Sequence, residues 1–200
     1  MTKRYRSLAS LQRDNRRCRA CALAGYQIES RPIFEGLADR PAYLYGQAPG
    51  IVEAEEGRPW RGRAGRTLRG WLGLDEDEFY GTFYCAAVTR CYPGKPASGR
   101  GDRTPTPQER ALCATWREHE LRLLRPRLVV TVGGLAAKAL LGAARLECVG
   151  RRFELDGVPA IPLPHPSGAS GWLNSPANRE LLAQAVELVR AELGRVQPES

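Results

Sequence analysis

The stretch from Leu128 to Leu141 constrains the fold more than any other. Five β-prone residues, Leu128-Val129-Val130-Thr131-Val132, run through Gly133-Gly134 straight into an apolar helical pattern at 135–141. A strand, a tight turn and a helix in so few residues make one half of a βαβ unit, and such units build parallel sheets covered on both faces. Three more β-prone runs fit this scheme: Tyr43-Leu44-Tyr45 ending at Gly46, residues 79–88, and Val158–Leu163. Helical patterns alternate with them at 8–17, 67–72, Pro107–Leu124 and from Ser175-Pro176 to about Leu193. The long one opens with Thr106, Pro107 and Glu109, a capping threonine, a first-turn proline and a reciprocal glutamate. Leu112, Trp116 and Leu123 then share a face, and Pro126 stops the helix. The expected architecture is a three-layer α/β/α sandwich around a central, mainly parallel four-stranded sheet.

At 200 residues the chain is expected to form one domain (1–200) with a basic N-terminal arm (1–25) and a polar C-terminal tail (194–200). A domain of this size buries roughly 70% of the surface its unfolded chain exposes, so it needs no disulfide staples. The six cysteines therefore call for another explanation. No apolar run approaches the ~18 residues of a membrane span, and no signal-peptide core opens the chain. A cytoplasmic protein with no membrane partner is expected. Thirty Lys and Arg against 22 Asp and Glu leave a formal charge of +8. That balance favours a polyanion, most often nucleic acid, because each neutralised phosphate releases condensed counterions; solvated arginines alone would read the same way. The longest unpatterned stretch, 92–105, is loaded with Gly, Pro, Lys and Arg and reads as a basic surface loop.

Two loops carry candidate chemistry. Gly46-Gln47-Ala48-Pro49-Gly50 follows the first strand run, at the carboxyl edge where open α/β sheets bind ligands. The segment continues through Glu53, Gly57, Arg58-Pro59-Trp60 and Gly62-Arg63-Ala64-Gly65, offering a carboxylate, an aromatic and permissive glycines. A plain Gly/Pro loop with Trp60 as a core anchor would have the same composition. Leu163-Pro164-His165-Pro166-Ser167-Gly168 follows the last strand run at the same edge. Its prolines restrict the backbone, so the imidazole of His165 could be held to donate a hydrogen bond to an oxyanion or a leaving-group oxygen. His119, among charges in mid-helix, reads as a surface residue. Cys18 and Cys21 form a C-x2-C pair, and Cys91 and Cys113 supply two more thiols. Four thiolates suit zinc or an iron–sulfur cluster. The 21-residue spacer between Cys91 and Cys113 is long for a zinc ribbon and favours the cluster. Cys85 and Cys148 read as buried thiols.

Taken together, Gly46-Gln47-Ala48-Pro49-Gly50 with Glu53, Gly57, Pro59-Trp60, Gly62 and Ala64-Gly65 resembles the first motif of the iron–sulfur, family 4 type of uracil-DNA glycosylase. His165-Pro166-Ser167 resembles that superfamily's histidine loop. The cysteines stand at the family's relative positions, Cys91 in Thr89-Arg90-Cys91 and Cys113 after Thr104-Pro105-Thr106-Pro107.

The resemblance implies a DNA repair enzyme of base excision, a hydrolase that flips uracil or a related deaminated base out of DNA and cleaves its N-glycosidic bond. By the same resemblance His165 is the leaving-group donor and Glu53 positions water, with Gln47 at the remaining catalytic position. Gly46, Ala48, Trp60, Ala87 and Ser167 bind substrate, Trp60 by stacking on the base and Ser167 by gripping a phosphate. Gly168, Trp172 and Leu173 would contact DNA, with Trp172 or Leu173 as the wedge. Cys18, Cys21, Cys91 and Cys113 would hold a structural [4Fe-4S] cluster, zinc being the alternative. The implied partner is DNA carrying a deaminated base, bound by a monomer that associates with the nucleoid. Three positions depart from the pattern. Gln47 stands where family 4 has Glu, Ala48 where the classical enzymes have Asp, and Ala87 where an Asn reads the uracil edge. A divergent base preference is one consequence. Another is a catalytically weak or inactive nucleic-acid-binding protein that keeps fold and cluster, and a zinc protein of unrelated function is the third reading.

Overall fold

The structure, a computed structural model, describes residues 4–99, 101–142, 148–167 and 171–196. Eight α-helices and five strands follow one another among these residues: α1 (Leu8–Arg16), α2 (Ala20–Leu23), β1 (Ala42–Gly46), α3 (Ile51–Glu56), α4 (Arg63–Leu72), α5 (Glu76–Thr82), β2 (Phe83–Ala87), α6 (Pro107–Leu124), β3 (Leu128–Val132), α7 (Gly134–Leu141), β4 (Phe153–Leu155), β5 (Val158–Leu163) and α8 (Pro176–Val196). The sheet order is β2-β1-β3-β5-β4, parallel except for the β4–β5 pair. Every residue of β1, β2 and β3 is buried, as expected for parallel strands covered on both sides. Side chains alternate between two cores. Ala42 and Leu44 of β1 join Leu68, Phe79 and Val189 of α4, α5 and α8, whereas Tyr43 and Tyr45 join Leu11, Leu124 and Ala136 of α1, α6 and α7. The α/β/α layering expected from the sequence is thus present.

The sheet has five strands, not four. The missed strand, β4, has only three residues, too few for a period-two pattern to register. It forms an edge hairpin with β5 through Asp156 and Gly157, whose φ values of 50° and 81° are those of a type I′ turn. The Asp-Gly pair was the available signal. The run at 79–88 also divides. Phe79–Thr82 belong to α5, because Asp75 and Glu78 close a reciprocal capping box at 2.8 Å each way and start a helix that overrides the residues' β-preference. α8 extends to Val196, past the expected end near Leu193. His119 is half-buried rather than on the open surface, its ring edge-on to Tyr5 at 5.1 Å. No helix among the described residues is long and apolar enough to cross a membrane.

A buried polar hub fastens β1 and β2 to α6. Glu120, with no exposed surface, accepts hydrogen bonds from Tyr43 Oη at 2.6 Å and Tyr84 Oη at 3.3 Å and pairs with Arg90 Nη2. Burial, followed by the Glu120 charge, pushes the Tyr43 and Tyr84 hydroxyls well above the usual tyrosine range, so both stay protonated as donors. Removing one partner of such a pair leaves a buried charge uncompensated. Glu120→Gln should therefore cost about 3–5 kcal/mol of stability, read as a lower urea midpoint at unchanged slope.

Candidate active site

The strand order reverses direction at β1 and β3, which are neighbours with connections leaving to opposite sides. This is the topological switch point where open α/β sheets form a ligand crevice at their carboxyl ends. The two expected loops both open there. At the end of β1, Gly46 pairs with Ala87 of β2, and the ends stay zipped as Val88 N donates to Gly46 O at 3.0 Å and Thr89 N to Gln47 O at 3.3 Å. Gln47 and Ala48 are half-buried in the turn.

Glu53, on the first turn of α3, organises the rest of the segment. Its Oε2 accepts from Gly50 N at 3.0 Å and its Oε1 from Gly62 N at 2.7 Å, so one nearly buried carboxylate holds the start of α3 to the start of α4. Trp60 lies between those helices with a left-handed φ of 61°. Arg69 Nη1 donates to Trp60 O at 3.0 Å, Tyr80 Oη donates to Pro59 O, and the backbone of Gly65 packs against the Trp60 carbonyl. A Cβ on Gly65 would fall 1.7 Å from that oxygen. Pinned this way, the indole lies over the end of β1, its Cζ2 at 2.8 Å from where a Cβ of Gly46 would stand. Trp60 is a flat wall at the strand end and is also packed against the core.

His165 follows β5 and approaches the end of β3, with Cδ2 at 3.3 Å from the Cβ position of Gly133. Its Nδ1 accepts from Ser167 N at 3.3 Å and lies 2.9 Å from Ser167 Oγ. A ring nitrogen that accepts a backbone N–H carries no proton, so the neutral ring holds its proton on Nε2. Burial pushes the imidazole pKa below its ordinary 6.5, against an opposing upward push from the Glu53 charge. The structure therefore brings Glu53 and His165 into one electrostatic environment and keeps the imidazole a neutral Nε2–H donor.

Gly168 lies outside the described residues. Trp172 and Leu173 form a half-buried 3-10 turn, Trp172–Asn174, in which the Trp172 and Leu173 carbonyls accept from Asn178 and Arg179 of α8 at 2.8 and 3.0 Å. Trp172 also packs against the core shared by α4, α5 and α8.

The thiols of Cys18, Cys21, Cys91 and Cys113 line a single cavity, together with Asn15 and Arg90. None is in a disulfide. As placed, no group of three or more His, Cys, Asp or Glu among the described residues forms a metal-ligand set, so the expected ligands share a cavity without standing in ligand geometry. Two features of the cavity nonetheless fit a thiolate-bound cluster. Burial and then the neighbouring thiols push Cys21 up to about 11 and Cys91 to about 12, a crowding of thiolates that a bound cation would relieve. In addition, Asn15 Nδ2 and Arg90 Nε and Nη1 are buried donors without a hydrogen-bond partner, suited to sulfur acceptors. Cys85 and Cys148 are buried away from this set.

The loop at 92–105 does more than cover the surface. Asp102 places Oδ2 at 2.9 Å from the Cβ position of Gly50, while Glu53 Oε2 lies 2.8 Å from the same point. Sequence reading missed this carboxylate, whose one signal is a single acid in a basic glycine-rich run.

Residues 35–190 match the family model described as the uracil DNA glycosylase superfamily. The chain belongs to this superfamily. Among its relatives, a type-4 uracil-DNA glycosylase of Pyrobaculum aerophilum is 31% identical over 68% of this chain, a match spanning 63% of that protein's length. One from Archaeoglobus fulgidus is 28% identical over 96% of both chains. A type-5 uracil-DNA glycosylase of Thermus thermophilus is 37% identical over 60% of this chain and 58% of its own.

Two outcomes follow from the glycosylase-family site. Gly65→Ala must displace either α4 or the Trp60 carbonyl and should destabilise by at least about 3 kcal/mol, the upper end of ordinary overpacking, with a shifted tryptophan emission. His165 has a folded pKa below its unfolded value, so below pH 6.5 the unfolded chain binds the extra proton first. Stability should fall as the pH drops through 6.5 toward the folded pKa, and His165→Gln should remove that component in urea titrations across the acid range.

Proposed function

We propose that the protein is a monofunctional uracil-DNA glycosylase that everts uracil, or a related deaminated base, from DNA and hydrolyses its N-glycosidic bond to leave an abasic site. The observation that carries this reading is the neutral imidazole of His165, its Nε2 proton available because Nδ1 is occupied by Ser167. As the C1′–N1 bond breaks, its electron pair passes to the base, and negative charge grows on the uracil oxygens. A preorganised neutral donor stabilises that charge without first losing a proton. The indole of Trp60 offers a stacking face at the end of β1, packed into the space that a side chain at Gly46 would need. Ala48 and Ala87 present only methyl groups at this edge, so recognition of the base would rest on backbone groups and on Gln47.

Glu53 acts through the turns it clamps and through its charge, which faces the positive sugar that forms as the base leaves. Ser167 would grip a phosphate, Gly168 would lie against the DNA backbone, and Leu173 or Trp172 would fill the gap left by the base. Cys18, Cys21, Cys91 and Cys113 would hold a [4Fe-4S] cluster. When bound, the cluster supplies a structural tie between the N-terminal arm, the end of β2 and α6. The protein would act as a monomer in the cytoplasm, on the nucleoid.

The test is release of free base from oligonucleotides carrying uracil, hypoxanthine, xanthine or a thymine mismatch, scored as abasic sites. Uracil release is expected, with His165→Ala slower by roughly 100- to 1,000-fold. DNA binding without release of any base would refute the reading. For the cluster, the purified protein should contain iron and acid-labile sulfide, and Cys91→Ala should lose both along with thermal stability. A soluble, fully stable Cys91→Ala protein would contradict a structural role.

A further inference from the structure

The hydrolysis proposed above consumes a water molecule, and a group at the sugar must take that water's proton. Neither turn residue of the first motif can do so: Gln47 carries an amide and Ala48 a methyl group. Glu53 is poorly placed as well. Both of its oxygens accept backbone N–H groups, and it is nearly buried, so a proton taken there would weaken two clamps and have no direct path to solvent.

We infer that Asp102, delivered by the loop between Cys91 and α6, is the general base that orients and deprotonates the attacking water. Its Oδ2 faces the gap beside Gly50, where Glu53 Oε2 also points, and among the described residues that Oδ2 takes no hydrogen bond. Its other oxygen, Oδ1, accepts from Tyr92 Oη at 2.8 Å, which fixes the orientation of the carboxylate. The residue as a whole is solvent-exposed, so a proton received there can leave.

The loop is built to hold this position. Gly101 takes a left-handed φ of 69° just before Asp102. Just after it, Arg103 N donates to Gly94 O at 2.9 Å, and the Arg103 guanidinium grips Glu109 at 2.8 and 2.6 Å. Glu109 in turn caps α6 through Thr106 N at 2.8 Å. Arg103 is thereby turned toward α6, and among the described residues the titratable groups shown to face Asp102 are Tyr92 and Glu53. Gly50 puts no side chain between the two carboxylates, whose oxygens stand 2.8 and 2.9 Å from where its Cβ would be, and two carboxylates across one narrow gap suit a developing positive charge.

In the step itself, the water oxygen bonds to C1′ and one water proton passes to Asp102 Oδ2. The C1′–N1 electron pair leaves with uracil, whose oxygen is held by His165 Nε2–H. Asp102 then returns its proton to solvent.

This inference rests on the glycosylase reading, and single-turnover release of uracil by the full chain separates the two. Asp102→Asn should slow release by roughly 100-fold, within the usual range for a general base, with DNA affinity and thermal midpoint unchanged. Asp102→Glu should recover part of the rate, and Tyr92→Phe should fall between. An active wild type whose Asp102→Asn variant keeps its rate within about twofold overturns the assignment of Asp102 alone. Equal losses of rate and of thermal stability in Asp102→Asn and Asp102→Glu would also overturn it, as they mark a purely structural residue. A wild type that releases no base overturns the glycosylase reading beneath it.

Discussion

One carboxylate spanning two turns sets the geometry on which the candidate site depends. Glu53 is three residues into α3 and accepts from Gly50 N, the reach-back half of a capping box, yet its second oxygen goes to Gly62 N at the start of another helix. A buried carboxylate is tolerated only when its oxygens are satisfied, so the two helix starts are bound to one another by the cost of leaving it unpaired. Trp60 is trapped between them in a left-handed conformation, and its indole is thereby laid over the end of β1. Gly46, Gly62 and Gly65 are glycine because backbone, carboxylate or indole atoms occupy the space a Cβ would need, at 2.8, 3.1 and 1.7 Å respectively.

Charge is distributed so that the carboxyl edge of the sheet differs from the faces where arginines pair with acids. Many arginines are already matched by acids: Arg58 pairs with Glu35 and Glu76, Arg61 with Glu56 and Glu76, Arg103 with Glu109, and Arg152 with Glu192. Such partly exposed pairs add little stability and, being neutral, leave the net formal +8 on the chain's other cations. At the crevice the logic inverts. Two carboxylates, Glu53 and Asp102, point toward Gly50, and burial keeps the imidazole of His165 below its ordinary pKa.

The sequence was most legible where short-range physics decides. The limits of α6 follow from Thr106, Pro107 and Glu109 at one end and Pro126 at the other, and the strand–turn–helix at Gly133 follows from composition over a dozen residues. Legibility failed where two local signals competed or where an element was short. Phe79 and Tyr80 carry β-preference, but the capping box at Asp75 claims them for α5, and three-residue β4 has no periodicity to detect. His119 looked solvated because its own helix neighbours are charged, and only the docking of α1 brings Tyr5 over it.

The sequence by itself determined the layered α/β architecture and the two loops that carry the histidine and the tryptophan, since hydrophobic period, capping and turn residues act over a few positions. Only the tertiary structure decided the sheet order that makes β1 and β3 neighbours, and with it the meeting of residues more than eighty positions apart. It also decided that the imidazole proton sits on Nε2, that the glutamate of the first motif is consumed as a clamp, and that a basic loop contributes an acid. Each of these depends on which groups remain unpaired after packing, a property of distances between chain segments that no local pattern encodes.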